Sequence, residues 1–503
     1  MSLPCSRILY IDIDTLRADH LGCYGYHRPT TPNIDRLAGE GVRFDNCYVS
    51  DAPCLPSRAA LYSGKCGIRN GAINHGGEAA DYYQEPSQRG FRTLLDNYIV
   101  QMRRQGYYTV TVSPFGERHS AFWFYNGFRE MHNTGRGGLE RADEVVPTAL
   151  DWLDRRGRQD NWYLHVNVWD PHTPYQTPDE YSNPFADYPP PAWMTEEIIR
   201  RNIETFGPGS GLEPAGGYGT DWARKYLAGF PRMVPEIRSM SDYRTWIDGY
   251  DTGIHYADMW VGRILDKLQE LGVLDDTLIL VSSDHGENQG ELAVYGDHQT
   301  ADHITNRVPF IIRHPKGLGG RNRVDTALHY QFDIAATVLE MIGAKVQETW
   351  DAVSFFKAFA EERVQGRQYL VVSNCAWSCQ RSVRWDDYIL IRTYHSGLKN
   401  YPPLMLFDVR QDPHELVNLA GSRPDLAAGG LAMLDEWHAA EMQRSGRPVD
   451  PMWIVMREGG PFHARYDSDA CRQYLERLRK TGRSHFADQL EKKRNELNIC
   501  WLR

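Results

Sequence analysis

Residues 254–287 read IHYADMWVGRILDKLQELGVLDDTLILVSSDHGE. Apolar side chains at Ile254, Ala257, Val261, Ile264, Leu265, Leu268 and Leu271 recur at steps of three and four, the spacing of an amphipathic helix. Thr277 to Ser283 is a nearly continuous apolar run, which is how a parallel strand buried on both faces reads. Asp284, His285 and Glu287 follow at once. The same rhythm runs upstream. Ile8 to Asp14 reads as a strand with an acidic end, and Pro32 to Gly41 as a short helix with Pro near its start and Gly at its end. Tyr107 to Ser113 is β-rich, Ala142 to Arg156 is helical in period, and Trp162 to Trp169 and Pro309 to Arg313 are strands. This alternation predicts an α/β fold with a large, mostly parallel central sheet flanked by helices.

Two regions break the rhythm. Residues 171–245 hold Pro189-Pro190-Pro191, Gly207-Pro208-Gly209 and Gly216-Gly217, and read as a loop-rich insertion covering a site. From about residue 346 the pattern becomes hairpin-like, with Arg381 to Ile391 and Leu404 to Val409 as strands. After Pro424 it is helical. The predicted organisation is a catalytic domain over 1–345, a smaller C-terminal α+β subdomain with an antiparallel sheet over 346–425, and a helical extension over 426–503.

Composition excludes several classes. With 41% hydrophobic and 24% charged residues the chain is neither disordered nor fibrous. The 56 basic against 66 acidic residues give a net charge of −10, which argues against nucleic acid as a partner. No apolar run approaches the ~18 residues that cross a bilayer, so no membrane partner is expected. No targeting segment is evident, so the sequence as written reads as cytoplasmic; removal of a leader would make it periplasmic or secreted. Nine scattered cysteines form no paired CxxC sets, and Cys375-Ala376-Trp377-Ser378-Cys379 is too loose for a zinc motif. Composition says nothing of oligomeric state.

In open α/β sheets, sites form beyond the carboxyl ends of the strands. Three strand exits carry metal-ligand residue types: Asp14, Asp170-Pro171-His172, and Asp284-His285-Gly286-Glu287. Any one such Asp is accounted for as a helix cap; three together point to a divalent cation.

The most specific stretch is Cys54-Leu55-Pro56-Ser57-Arg58. It resembles the C-x-P-S-R signature of the type I sulfatases, in which a maturation enzyme oxidises the Cys to formylglycine. Asp14-Thr15-Leu16-Arg17, Thr31-Pro32-Asn33-Ile34-Asp35, Asp170-Pro171-His172-Thr173-Pro174-Tyr175, Ser283-Asp284-His285-Gly286 and Leu406-Phe407-Asp408-Val409 resemble, in order, further motifs of that family over residues 7 to 420. The resemblance implies the alkaline-phosphatase-like fold and hydrolysis of sulfate monoesters, with a sulfated sugar as substrate by analogy of fold. It also implies dependence on a formylglycine-generating maturation enzyme.

By the same resemblance, hydrated formylglycine at Cys54 attacks sulfur, Arg58 steadies it, and Asp14, Asp284, His285 and the residue-54 oxygen hold the metal. Oxygen-rich ligation favours Ca²⁺, and the imidazole leaves Mn²⁺ or Mg²⁺ open. Asp12, two residues back on the same strand face, either approaches the metal or is a buried, hydrogen-bonded carboxylate, the second being the favoured reading. The chain departs from the family in three places. Thr15 replaces the usual second Asp, as in the phosphonate monoester hydrolase branch. That branch supplies the alternative reading, phosphonate monoester or phosphodiester hydrolysis with the same nucleophile. Where the family carries Gly-Lys-x-His, this chain reads Ser113-Pro114-Phe115-Gly116-Glu117-Arg118-His119; the expected Lys and His are displaced or replaced, and the nearest residues make His119 the candidate base and Arg118 a substrate contact. Where the family carries a lysine nine residues before Arg307-Val308-Pro309, this chain has His298, in a polar stretch ending at His303. His298 and His172 are the candidate acids. His75 and His303 are further substrate-contact candidates.

Overall fold

A computed structural model describes residues 5–83, 96–215, 221–461 and 469–497. In chain order the strands are β1 (Arg7–Ile13), β2 (Val42–Tyr48), β3 (Asp51–Ala52), β4 (Tyr108–Val112), β5 (Glu130–His132), β6 (Trp162–Val168), β7 (Thr277–Ser282), β8 (Asn288–Gln289), β9 (Tyr295–Asp297), β10 (Arg307–Arg313), β11 (Arg323–Tyr330), β12 (Tyr369–Asn374), β13 (Cys379–Trp385), β14 (Tyr388–His395) and β15 (Leu404–Asp408). Eight of them form the central sheet in the order β11-β2-β10-β7-β1-β6-β4-β5. All its pairings are parallel except those of β10, which runs antiparallel to both β2 and β7. The strand orientation of β10 has no signature in the sequence.

The two-residue period of the strands sorts their side chains onto two cores. Ile8, Tyr10, Leu278, Leu280, Phe310 and Ile312 face one core, closed by the helices Cys54–Ser63 and Asp333–Met341. Leu9, Ile11, Ile13, Ile279, Val281 and Ile311 face the other, closed by Pro32–Glu40, Ala142–Arg156 and Met240–Glu270. Every residue of β1, β6 and β7 is buried, which is why these strands read as apolar runs.

The helix read from Ile254 to Leu271 is one 31-residue helix, Met240–Glu270, capped by the Ser239 side chain and beginning inside the presumed loop-rich stretch. Its first half carries Asp248, Gly249, Asp251 and Gly253, poor helix formers, so propensity hides it. Packing overrides propensity: a Cβ at Gly249 would lie 2.4 Å from the Arg232 carbonyl oxygen, and one at Gly253 3.0 Å from Pro171. The rest of 171–245 holds the short helices Glu196–Ile203 and Asp221–Leu227; Gly216-Gly217 lies outside the described residues.

A second sheet, β15-β14-β13-β12-β3, is antiparallel except for its last pair. Helix Pro424–Ser445 lies on it, with Gly430 against Leu390 and Trp385. β3 pairs Asp51 with Ser373 and Ala52 with Asn374, so this sheet grips the chain two residues before Cys54. Among the described residues no helix is long and apolar enough to cross a membrane.

Candidate active site

Cys54 opens helix Cys54–Ser63, where unpaired backbone amides and the positive end of the helix dipole favour an anion. Arg58 lies one turn on, on the same face. Gln331 ties this helix to the sheet: its amide group bonds Ser282 Oγ at 3.2 Å and the Ser283 carbonyl, and its Oε1 accepts from Ser57 Oγ at 3.4 Å.

The neighbouring exits of β1 and β7 bring Asp14, Asp284 and His285 to Cys54. One donor atom from each of the four lies within 4.8 Å of every other. His285 Nδ1 donates to the Gly286 carbonyl at 2.8 Å, so in the neutral ring Nε2 carries the lone pair, and it sits 3.1 Å from Cys54 Sγ. Asp284 Oδ1 accepts the amides of Thr15 (3.2 Å) and His285 (3.0 Å). Thr15 itself is held at φ 55°, buried, with no partner on its hydroxyl among the described residues.

Arg58 is the electrostatic centre of the cluster. It bonds Asp284 through Nη1, and through Nη2 it bonds Asp12 at 2.9 Å and reaches Asp14 at 3.5 Å. Arg118 Nη2 reaches Asp14 at 3.2 Å. Burial and the neighbouring Asp284 charge push the Asp14 carboxyl up to about 6. Burial works against ionisation of Asp284 too, but the Arg58 guanidinium outweighs it and holds that carboxyl below the usual range. Three carboxylates thus face two guanidiniums, and Asp14 Oδ1 is buried without a hydrogen-bond partner among the described residues. An oxygen-rich set with surplus negative charge and an open carboxylate oxygen fits a divalent cation.

Asp12 is the buried, hydrogen-bonded carboxylate that the sequence suggests. It accepts from Arg58, and from His165 Nε2 at 3.3 Å, while Thr111 Oγ1 donates to His165 Nδ1 at 2.9 Å. His165 was not singled out from sequence, yet a histidine inside the all-buried run of β6 is the signal that marks it. Asp170 takes the cap role instead of joining the cluster: its Oδ2 accepts the Ala142 amide at 2.8 Å at the start of helix Ala142–Arg156, and burial pushes its carboxyl up to about 7.

The histidines fall into two groups and an outlier. The His298 ring lies 4.2 Å from that of His285 and 5.7 Å from that of His172. Asn374 on β12 holds the His298 carbonyl at 2.8 Å. His172 Nδ1 donates to the Thr173 carbonyl at 2.6 Å, and burial, then Arg118, push the ring down to about 3. Trp169, unmarked in the sequence, makes two contacts here: its ring stacks on His172 at 3.8 Å and carries the Arg118 guanidinium at 3.6 Å. His119 and His75 form the second group, with rings 5.0 Å apart. Arg118 Nε donates to His119 Nε2 at 3.0 Å, so the lone pair that a base would use is already taken.

His303 departs from the expected substrate contact. It opens helix His303–Asn306, its amide donates to Glu415 at 3.1 Å, and its Nδ1 pairs with the Tyr48 hydroxyl at 2.8 Å. Asp302 caps that helix, and the turn it makes sends the next side chain toward Tyr48.

Cys375 and Cys379 hydrogen bond each other in a small apolar cluster with Ile73, Met452 and Val455. Met102 is buried while Arg103 and Arg104 are exposed, a solvated helix face.

A family model described as sulfatase matches residues 6–344, and one described as N-sulphoglucosamine sulphohydrolase, C-terminal, matches residues 290–427. The chain is 23% identical over 472 residues to an N-acetylglucosamine-6-O-sulfatase of Bacteroides thetaiotaomicron, covering 82% of each. A protein solved in complex with its substrate D-glucosamine-2-N,6-O-disulfate superposes with a TM-score of 0.68 at 19% identity, over 89% of this chain and 99% of that one. The phosphonate monoester hydrolase of Agrobacterium radiobacter superposes with a TM-score of 0.63 at 20% identity, over 87% and 96%.

Proposed function

The chain belongs to the sulfatase family and is a sulfuric ester hydrolase; from that premise we propose that it hydrolyses sulfate monoesters on sugars. Residue 54 in its formylglycine form is the nucleophile, and one divalent cation, Ca²⁺ by the donor set, is the cofactor. The observation that carries this reading is the convergence of Asp14, Cys54, Asp284 and His285 at one helix start. The relative that acts on N-acetylglucosamine 6-sulfate and the neighbour bound to a disulfated glucosamine support a sugar substrate.

Asp14, Asp284, His285 and residue 54 would hold the cation, which would lower the pKa of a hydroxyl on residue 54 and offset charge on the sulfuryl oxygens. The chain's own residues do the rest. Arg58, fixed by Asp12, Asp14 and Asp284, steadies charge developing on residue 54. Arg118 Nη1 is buried with no hydrogen-bond partner among the described residues, so it has a donor left for an anionic ester. His172 is held neutral with Nδ1–H spent on Thr173, and its Nε2 presents a lone pair. That nitrogen accepts from a hydroxyl, of residue 54 or of the sugar, and the ring is a poor proton donor. His298, beyond His285, is therefore assigned the proton that the leaving oxygen needs.

The test has two arms. Peptide mass spectrometry of active enzyme finds the aldehyde or its hydrate at residue 54, and Cys54→Ala loses turnover with the fold intact. Active enzyme carrying only a thiol there would defeat the nucleophile assignment. Thr15, in place of a second aspartate, favours the phosphonate or phosphodiester reading. Comparing kcat/KM on aryl sulfates and aryl phosphonates decides it, with sulfate expected to be faster.

A further inference from the structure

The encoded side chain at position 54 is a thiol, and its surroundings hold two overlapping donor sets. One is oxygen-rich: Asp14, Asp284 and His285 with residue 54. The other is Cys54, His285 and His298, again with donor atoms all within 4.8 Å of one another. His298 groups only with the second set. A sulfur and two imidazoles are the donors of a borderline-soft ion. Tetrahedral Zn²⁺ with bonds of about 2.3 Å to sulfur and about 2.05 Å to nitrogen spaces its ligand atoms about 3.3–3.6 Å apart. The observed 3.1 Å between Cys54 Sγ and His285 Nε2 is within half an ångström of that. His285 is pre-set as a ligand by the bond from its Nδ1 to Gly286. All three residues are buried, so the imidazoles and sulfur need little reorganisation to shed water.

We propose that the chain whose residue 54 is still a thiol binds a transition-metal dication through Cys54 Sγ, His285 and His298, the thiol proton passing to solvent as the sulfur–metal bond forms. The oxygen donors Asp14 and Asp284 stand beside the ion for its remaining positions. Exchange of the sulfur for an oxygen function at residue 54 dismantles this site and leaves the hard-cation set. Only that last clause rests on the formylglycine reading. A metal seated on Cys54 also blocks any small reagent that must reach the thiol.

The test uses full-length protein whose residue 54 is shown by mass to be unmodified, titrated with Co²⁺ as the spectroscopic stand-in for Zn²⁺. The expected result is a thiolate-to-cobalt charge-transfer band in the near ultraviolet with the visible bands of a four-coordinate ion. One equivalent of Zn²⁺ bleaches both, and excess Ca²⁺ does not. Cys54→Ser loses the charge-transfer band. His298→Ala weakens Co²⁺ binding by about tenfold or more, since even partners of ligands cost that much, and leaves Ca²⁺ affinity unchanged. Cys375→Ser keeps the band, because the Cys375–Cys379 pair lies outside the site. Binding of Co²⁺ without the band, or a band that survives Cys54→Ser, overturns the proposal. Should Cys54→Ser fold poorly, Zn²⁺ must protect Cys54 of the unsubstituted protein from a small alkylating agent; unprotected alkylation overturns it equally. An aldehyde at residue 54 in active enzyme bears on the proposed function and leaves this measurement on the thiol form independent.

Discussion

Asp170 and Asp284 show how little a residue says alone. Both are aspartates at the exit of a buried strand, with a histidine close behind. Asp170 accepts one amide and caps a helix, whereas Asp284 takes two amides and a guanidinium beside Cys54. Asp284→Ala should lose both the cation and the rate, because it deletes a charged ligand and unbalances Arg58; chelation of the native enzyme should do the same. Metal analysis alongside turnover checks this, and full activity in a metal-free variant would sink the ligand assignment. The two acid candidates separate by leaving group. His298→Ala should slow esters of sugar alcohols by roughly 10²- to 10⁴-fold and activated aryl esters much less. His172→Ala should slow both types by similar factors, because that ring is held neutral. Rates of both variants on both ester types decide, and the reverse pattern transfers the acid role to His172.

At the scale of elements, Cys54 is placed by three supports: β3 paired to β12 before it, Gln331 beneath its helix, and the Asp12–His165–Thr111 chain behind Arg58. The strap after β6 carries Trp169 and His172, and the short helix Phe115–Arg118 after β4 brings Arg118 to the same indole ring. Trp169→Ala should raise KM for anionic esters by up to about tenfold, the scale of one buried cation–π contact, with a smaller change in kcat. Trp169→Phe, which keeps a stacking ring, should recover most of it. Steady-state kinetics on one substrate is the check, and a loss confined to kcat would mean that Trp169 does not act through substrate binding.

On the scale of the whole molecule, the last helices clamp the insertion. Phe206 packs with Leu398, Tyr474, Leu475 and Leu478, and the Gly207 amide donates to the Tyr474 hydroxyl at 2.6 Å. Glu213, buried, takes Arg477 at 2.8 Å and both terminal nitrogens of Arg483. Burial opposes its ionisation, but Arg483 outweighs it and lowers the carboxyl below its ordinary value. The depressed folded pKa means that this stabilisation is present above about pH 4.3 and is lost as pH falls through the folded value. Glu213→Gln should cost about 3–5 kcal/mol at neutral pH, since it leaves buried guanidiniums unpaired, and should flatten the acid limb of stability. Denaturant melts at pH 7 and at about pH 2.5, well below the ordinary glutamate value, measure both; equal losses at the two pH values would contradict the assignment.

The sequence by itself determined the α/β class and the mostly parallel sheet, and its family resemblance pointed to Asp14, Cys54, Asp284 and His285, whose donor atoms the fold brings within 4.8 Å of one another. Buried strands are mostly apolar along their length, and the candidate ligands Asp14, Asp284 and His285 follow two of those runs directly, so both are written locally. Thr277 to Ser283 followed by Asp284 and His285 is one such unit, and Cys54 to Arg58 is another local pattern. Only the tertiary structure decided which polar residues join the site. His303 and His298 lie five residues apart in one polar stretch, yet a capped turn at Asp302 separates them. His165 and Trp169 act through contacts with Asp12, Arg118 and His172 that no spacing encodes. The antiparallel course of β10 and the first half of helix Met240–Glu270 likewise came from packing. Their own residues favour neither, and long-range burial supplies the free energy that local propensity lacks.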